Sequence, residues 1–139
     1  MTVTKDLPTI LRLGAGALGL GTSLFGVAPL VAPRLFAKFF GLPFDDRRPA
    51  ATMAIRSVGA RDLVSGLGLL ATMGNPARNR PWLLVRTAAD VGDALVSYAS
   101  LRGEPRNWRL RVLMLVAAGA ALLDVGLLAG SAIAKRPGS

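Results

Sequence analysis

The feature that most constrains the fold is a group of charged residues inside an apolar stretch. The segment Ile55–Leu70 reads IRSVGARDLVSGLGLL and is mostly apolar, yet it carries Arg56, Arg61 and Asp62. Ionisable groups are expensive inside a segment of this kind, and within a membrane span they usually meet partners or mark a functional site. The segment therefore predicts that Arg61 and Asp62 meet other polar side chains inside the folded protein.

The composition of the chain favours a membrane protein. Hydrophobic residues make up 52% of the 139 residues and charged residues 18%, which is less charge than a soluble domain normally carries. The length fits one domain. The sequence has no Cys and no His, which excludes disulfides, His-based acid–base chemistry and the usual zinc and haem sites. No cofactor and no metal are predicted, although a hard cation held by carboxylates is left open.

The net charge of +9 raises the question of nucleic-acid binding. The basic residues occur in short clusters between apolar runs, and they do not follow one polar face with aromatic residues for stacking. Clusters placed in this way typically meet anionic lipid headgroups. The predicted partners are therefore membrane lipids and not nucleic acid. The basic residues are too evenly distributed to assign the orientation or the membrane.

Four apolar runs predict an all-α fold, a four-transmembrane-helix bundle in which residues 1–139 form a single integral membrane domain. The predicted spans are about 10–32, 49–73, 81–101 and 108–133. Each is close to the length of about 20 residues that crosses a bilayer. The short link before Pro81 predicts an antiparallel hairpin of the second and third helices. A signal peptide is the competing interpretation of the first run.

A short helix is predicted to lie in the membrane interface between the first and second spans. The segment Pro33–Phe44 reads PRLFAKFFGLPF. Its basic and aromatic residues occupy different faces of a helix over Leu35–Phe40, a pattern that is typical of interfacial helices.

Small residues recur at a spacing of four on two of the predicted helices. Ala15, Gly19 and Ser23 form such a stripe on the first helix, and Gly126 and Gly130 form a GxxxG pair on the fourth. Small residues at this spacing allow close approach of another helix. The contact can lie within the chain or between copies, so a homo-oligomer is left open.

The charged residues of three predicted spans fall at one depth. The midpoints of 49–73, 81–101 and the apolar run 112–134 are residues 61, 91 and 123. The charged residues nearest these midpoints are Arg61, Asp62, Asp90 and Asp124. Because a helix rises about 1.5 Å per residue, all four lie near one plane. Lipid offers them no partner, so we predict that they point inward and converge.

Two polar stripes extend this cluster. On the third helix, spacings of four, three and four place one stripe on a single face, namely Arg86, Asp90, Asp93 and Ser97. On the second helix the matching stripe is Ser57, Arg61 and Ser65. We expect the stripes to face each other, with a carboxylate of the third helix within salt-bridge distance of Arg61.

Carboxylates outnumber arginines in the predicted cluster. Even if Arg56 and Arg86 reach inward beside Arg61, three arginines face four aspartates. Asp90 and Asp93 share a face and would compete for one cation, so we expect one of them to hold a proton near neutral pH and the other to stay ionised. A protonated and an ionised carboxyl in one apolar site can act as acid and base.

These residues form the predicted site. The catalytic candidates are Asp90, Asp93, Arg61 and Asp62. The substrate-binding candidates flank them and are Arg86, Asp124, Ser65 and Ser97. A buried Arg–Asp network can also do no more than fix the register of packed helices, and this structural interpretation stays open beside the functional one.

The motifs resemble a known family. The pattern GARDLVSGLGLL on the second helix, the R-x-x-x-D-x-x-D pattern of Arg86, Asp90 and Asp93, and the FGLP at Phe40–Pro43 are similar to the small four-helix integral membrane proteins catalogued as domain of unknown function 4267. The resemblance runs from the first helix to the fourth and implies a multi-pass fold, with no established activity. Small multidrug transporters also have four helices, but this chain lacks the glutamate that they carry in the first.

Three hypotheses for function follow. The first is a protein that binds or transforms a small lipophilic molecule from the bilayer, by acid/base isomerisation, cyclisation or epoxide opening at the aspartates. The second is a proton-coupled transporter, and the third is a structural or accessory membrane subunit. An apolar pocket that reaches Asp90 and Asp93 favours the first, a path through the protein favours the second, and a fully packed and paired network favours the third.

Overall fold

The computed structural model describes residues 3–45 and 47–134, and within them the chain forms five α-helices and no strand. The helices are α1 (Val3–Val31), α2 (Pro33–Phe40), α3 (Pro49–Thr72), α4 (Pro76–Gly103) and α5 (Trp108–Ala134). The all-α prediction is confirmed. Residues 1, 2, 46 and 135–139 of the predicted domain lie outside the described part of the chain.

Helix α4 begins five residues before the predicted start of the third span. Asn75 caps the helix, because its side-chain oxygen accepts hydrogen bonds from the backbone N–H groups of Ala77 (3.0 Å) and Arg78 (3.3 Å). Pro76 then occupies the first turn, where its missing N–H costs nothing. Pro81, which the sequence suggested as the start, lies inside the helix. The link between α3 and α4 is therefore only residues 73–75.

The four long helices contact one another in a ring. Helix α1 packs mainly against α3, and α4 packs mainly against α5, while contacts of α3 with α4 and of α1 with α5 join the two pairs. The predicted α3–α4 neighbours do touch, but each has a larger interface with another helix. The sparser α1–α5 side of this ring is the one that opens into a cavity.

Glycines bring α1 and α3 into backbone contact. A Cβ atom on Gly26 would lie 2.5 Å from the backbone nitrogen of Leu63, and one on Gly66 would lie 2.7 Å from the carbonyl oxygen of Gly19. Real side chains do not fit at such distances, so these helices can approach this closely only with glycine there. The close contact predicted for the small residues of the first helix is confirmed, and its partner is α3.

The other predicted small-residue pair behaves differently. A Cβ atom on Gly126 would meet nothing within 4 Å, and one on Gly130 would meet the flexible end of the Leu11 side chain. Among the described residues, the GxxxG pair of α5 therefore makes no backbone-to-backbone contact. Gly126 instead faces open space, which becomes important for the candidate site.

Helix α2 forms where the sequence predicts it and packs through two of its three aromatic residues. Phe36 and Phe40 are buried against Phe25 of α1, with ring centroids 5.4 and 5.9 Å apart. Leu35 and Phe39 are exposed on the other side. Helix α2 therefore both closes the end of the protein and presents an apolar outer face.

Two helices are long and apolar enough to cross a membrane, Pro8–Val31 and Trp108–Ile133. The other two long helices do not reach this standard in the described residues, because α3 and α4 carry the charged residues discussed below. The sequence predicted four spans, and length and composition support two of them.

Candidate functional site

The first ion-pair cluster joins α3 to α4. The Arg61 guanidinium donates two hydrogen bonds to the Asp93 carboxylate, Nη2 to Oδ2 at 2.7 Å and Nη1 to Oδ1 at 3.2 Å. It also donates from Nε (3.0 Å) and Nη2 (2.9 Å) to Oδ1 of its neighbour Asp62. The predicted salt bridge between Arg61 and a carboxylate of the third span is confirmed. Its bidentate geometry is the stronger and more directional kind of arginine–carboxylate pair.

The second cluster joins α4 to α5 and is more deeply buried. Arg86 Nη2 donates to Asp90 Oδ2 at 2.9 Å, one helical turn away, and Arg86 Nε donates to Asp124 Oδ1 at 3.4 Å. The side chains of Arg86 and Asp124 are 5% and 0% exposed, against 31% for Arg61. Asp90 and Asp124 therefore share the Arg86 guanidinium. Asp124 Oδ2 receives no hydrogen bond from any described donor.

The pairing of carboxylates with arginines differs from the sequence prediction. Asp90 and Asp93 do not compete for one cation, because Asp93 binds Arg61 while Asp90 binds Arg86. The carboxylates that share an arginine are instead Asp62 with Asp93, and Asp90 with Asp124. Two arginines thus form salt bridges with four aspartates. If every group were ionised, each cluster would carry one uncompensated negative charge.

The remaining predicted residues fall into two groups. Ser97 is buried and lies along the same side of α4 as Asp93. The Ser65 hydroxyl is buried too, but it donates to the backbone carbonyl of Asp62 at 3.2 Å, which is a structural role. Arg56 and Ser57 are exposed on α3, so the predicted inward stripe on that helix reduces to Arg61 and Ser65.

A cavity of about 720 Å³ lies between α1 and α5 and reaches both clusters. Its polar wall is formed by Asp62, Arg86, Asp90 and Asp93. The rest of the lining is almost entirely apolar. Its size is within the range of small-molecule sites, which are mostly apolar with a few convergent polar groups.

Small residues on the two facing helices create this cavity. Ala17 and Gly21 of α1 and Ala120 and Gly126 of α5 contribute to its lining. None of these residues is among the site residues predicted from the sequence. The available signal was a run of small residues on two apolar helices, but that pattern also predicts tight packing, and the sequence alone does not separate the two outcomes.

A second cavity, of about 250 Å³, approaches the first cluster from the end of the protein that carries α2. Asp93, Ser97 and Ser100 line it, and they are spaced four and three on one face of α4. Asp93 lies in the walls of both cavities. Asp93 is the charged residue that the two linings share, beside the apolar Phe25 and Leu113.

The arrangement places ionic groups at the end of an apolar cavity. Within the described residues no group of three or more carboxylates is positioned to hold a metal ion. A molecule in the larger cavity would meet the Arg86 guanidinium and three carboxylates, Asp62, Asp90 and Asp93. Arg61 binds Asp62 and Asp93, and Arg86 binds Asp90. Such carboxylates can accept or donate a proton, or hold a hydroxyl or ammonium group.

The fold and the site define an all-helical protein that buries arginine–aspartate pairs while its long helices expose apolar faces. The chain belongs to the family described as Domain of unknown function (DUF4267), whose sequence model matches residues 19–129. This match confirms the resemblance seen in the motifs of α3 and α4. No curated protein and no solved structure matches the chain.

Proposed function

We propose that this chain is a multi-pass membrane protein that admits a small lipophilic molecule from the bilayer to the ion-pair clusters. All four long helices would cross the membrane, with α2 at its surface. The observation that carries the proposal is an inverted distribution of polarity. Charged side chains meet in the interior, as Arg86 and Asp124 do, while large apolar side chains are exposed on every long helix, among them Leu24, Val64, Leu95 and Leu122.

This distribution is costly in water and favourable in lipid. Exposed apolar area that extends over every side of a protein exceeds the patches that soluble monomers normally show. In a bilayer the same side chains contact acyl chains, and the arginines and aspartates must satisfy one another because lipid offers no hydrogen bonds. Five of the nine charged residues that lower the hydropathy of α3 and α4 are these paired residues.

The larger cavity supports entry from the side. Its rim includes Leu122 and Leu123 of α5, which are 73% and 63% exposed. Its inner wall holds Arg86 and Asp90. A molecule that diffuses within the bilayer would therefore pass apolar side chains first and reach the carboxylates last. That order suits a lipophilic molecule with one polar group.

The chemistry proposed is proton transfer, as in isomerisation, cyclisation or epoxide opening. Asp90 and Asp93 are the acid/base pair, because both line the cavity and each is oriented by an arginine. Asp62 shares Arg61 with Asp93, and Asp124 acts through Arg86 as a positioning residue. Two carboxylates in different surroundings are a common way to separate an acid from a base.

A second candidate is a proton-coupled carrier. The observation that favours it is the position of Asp93 between the two cavities. One cavity opens along α1 and α5, and the other extends past Ser97 and Ser100 toward the end of α4. In a carrier, the two cavities would have to connect past Asp93. The Arg61–Asp93 ion pair would then have to break during transport.

Cysteine labelling tests the membrane topology. The chain has no cysteine, so Gly74→Cys in the α3–α4 link and Arg106→Cys before α5 would each introduce a single thiol. We expect a membrane-impermeant maleimide to label the two variants from opposite sides of sealed vesicles. A Cβ atom on Gly74 meets nothing within 4 Å, so we expect the first change to leave the fold intact. Labelling of both thiols from the same side would contradict the four-span proposal.

Filling the cavity tests binding of the lipophilic molecule. Gly126→Leu adds a side chain at the wall of the cavity, where a Cβ atom meets nothing within 4 Å. We expect this variant to fold normally and to lose the small molecules that co-purify with the wild type, as measured by mass spectrometry of organic extracts.

Two variants make the cavity experiment specific. Gly119→Leu is the matched control, because Gly119 lies on the same helix, is exposed and has open space at its Cβ. It should retain the co-purified molecule. Asp90→Asn should reduce retention by removing the charge at the end of the cavity. If the wild type and Gly126→Leu carry the same extractable molecules, the cavity is not a binding site.

A further inference from the structure

A groove between α2 and the first turns of α5 combines exposed apolar side chains with two cations. It has a volume of about 460 Å³. Leu35 and Phe39 from α2 and Trp108 from α5 contribute the apolar surface, and all three are at least 65% exposed. Lys38 and Arg109 line the same groove and are exposed. This groove is separate from the cavity that reaches the aspartates.

Hydrogen bonds hold the two walls of the groove together. Arg109 Nη1 donates to the backbone carbonyl oxygen of Lys38 at 2.8 Å. Asn107 Nδ2 donates to the carbonyl oxygen of Gly41, just after α2, at 3.3 Å. The Arg109 guanidinium also lies 5.7 Å from the centroid of the Trp108 ring, which is cation–π distance. The groove is therefore preformed and does not depend on a ligand to assemble it.

The acidic residues near the groove are engaged elsewhere. Asp45 pairs with Arg48 at 3.3 Å, and Glu104 accepts a hydrogen bond from Asn107 at 3.0 Å. Neither lines the groove. The cations of the groove thus have no carboxylate among its lining residues.

We propose that this groove binds an anionic phospholipid, with its acyl chain against Leu35, Phe39 and Trp108 and its phosphate between Lys38 and Arg109. The assignment rests on charge complementarity together with the apolar lining, because a free anion would gain nothing from the exposed aromatic residues. It rests on the membrane placement under the proposed function but not on any ligand in the aspartate cavity. Basic residues near an anionic membrane surface contribute a measurable attraction, and aromatic residues favour the interface.

Tryptophan fluorescence can test the proposal, because Trp108 lies in the groove. The chain has two tryptophans, so a Trp82→Phe background leaves Trp108 as the only reporter. The protein is reconstituted in phosphatidylcholine vesicles with a series of increasing mole fractions of brominated phosphatidylglycerol, and in a matched series with brominated phosphatidylcholine. We expect the anionic lipid to quench Trp108 at a lower mole fraction. Lys38→Gln should reduce that preference roughly fivefold, the value for one basic contact.

Matched variants separate a site from general surface charge. Lys38→Arg should retain the preference. Arg106→Gln removes one exposed positive charge close to α5 and outside the groove, and it should change the preference little. Lys38→Gln leaves the hydrogen bond from Arg109 intact, because that bond uses the Lys38 backbone, so its effect would not come from loss of structure.

Several results would overturn the lipid site. Equal quenching by the two lipids in the parent protein would show no preference. An effect of Arg106→Gln as large as that of Lys38→Gln would show general electrostatic attraction. Absence of quenching by either lipid would place Trp108 outside the bilayer and would contradict the membrane placement as well. A negative result with Gly126→Leu, in contrast, would leave the lipid preference untouched.

Discussion

Replacing Arg86 with glutamine should destabilise the protein by about 3–5 kcal/mol, the usual cost of breaking a buried ion pair by removing one partner. The change leaves two buried carboxylates, Asp90 and Asp124, without their cation. Glutamine keeps a hydrogen-bond donor but not the charge. The position of Arg61 at the midpoint of its predicted span favours it as the central cation. In the structure, however, its side chain is 31% exposed, against 5% for Arg86, so Arg61→Gln should cost less.

The measurement is the free energy of unfolding in detergent micelles for the two glutamine variants and the wild type. Arg86→Lys serves as the charge-retaining control, and it should recover only part of the stability because lysine cannot donate from two fixed positions to two carboxylates. If Arg61→Gln proved the more damaging change, the α3–α4 cluster and not the α4–α5 cluster would be the main polar contact of the interior.

The depth of the charged residues could be predicted from the sequence. Helices α3, α4 and α5 are of similar length, and a helix rises by a nearly constant amount per residue, so residues near their midpoints meet. Arg61, Asp93, Arg86 and Asp124 do meet in two pairs across helices. This inference needed only the length of each apolar run, which is a robust signal.

Which arginine binds which carboxylate could not be predicted. Asp90 and Asp93 share a broad face of α4, yet three residues correspond to a separation of about 60° around the helix. That rotation is enough to turn Asp93 toward α3, while Asp90 stays beside Arg86 and α5. The choice depends on where the neighbouring helices lie, and a stripe of residues on one helix does not contain that information.

The cavity could not be predicted from the sequence for a related reason. Gly26 and Gly126 are both glycines of apolar helices, but Gly26 touches the backbone of α3 while Gly126 faces open space. A small residue predicts close packing only when another helix occupies the position opposite. At Gly126 the neighbouring α1 contributes Ala17 and Gly21, and small residues on both sides leave a gap.

Removing the α4–α5 cluster as a unit can show whether it is a functional site or serves only to hold the two helices together. We expect the triple variant Arg86→Met, Asp90→Val, Asp124→Val to be far more stable than Arg86→Gln and comparable to the wild type. Apolar residues of similar size often replace a buried ion pair without loss, since the cost of desolvating the charges disappears with them. Asp124 Oδ2, which has no hydrogen-bond donor among the described residues, adds to that cost in the wild type.

The same triple variant should lose the co-purified lipophilic molecule completely, although its cavity remains. The reason is that the cavity would keep Asp62 and Asp93 but lose the two charged groups contributed by Arg86 and Asp90. Stability and retention are measured on one preparation, with Gly119→Leu as the control for mutation of an exposed position. A variant that is as stable as the wild type and empty of ligand would assign the cluster a binding role. If it is stable and still retains the ligand, the cluster serves only to hold α4 against α5, and the acid/base role proposed for Asp90 is wrong.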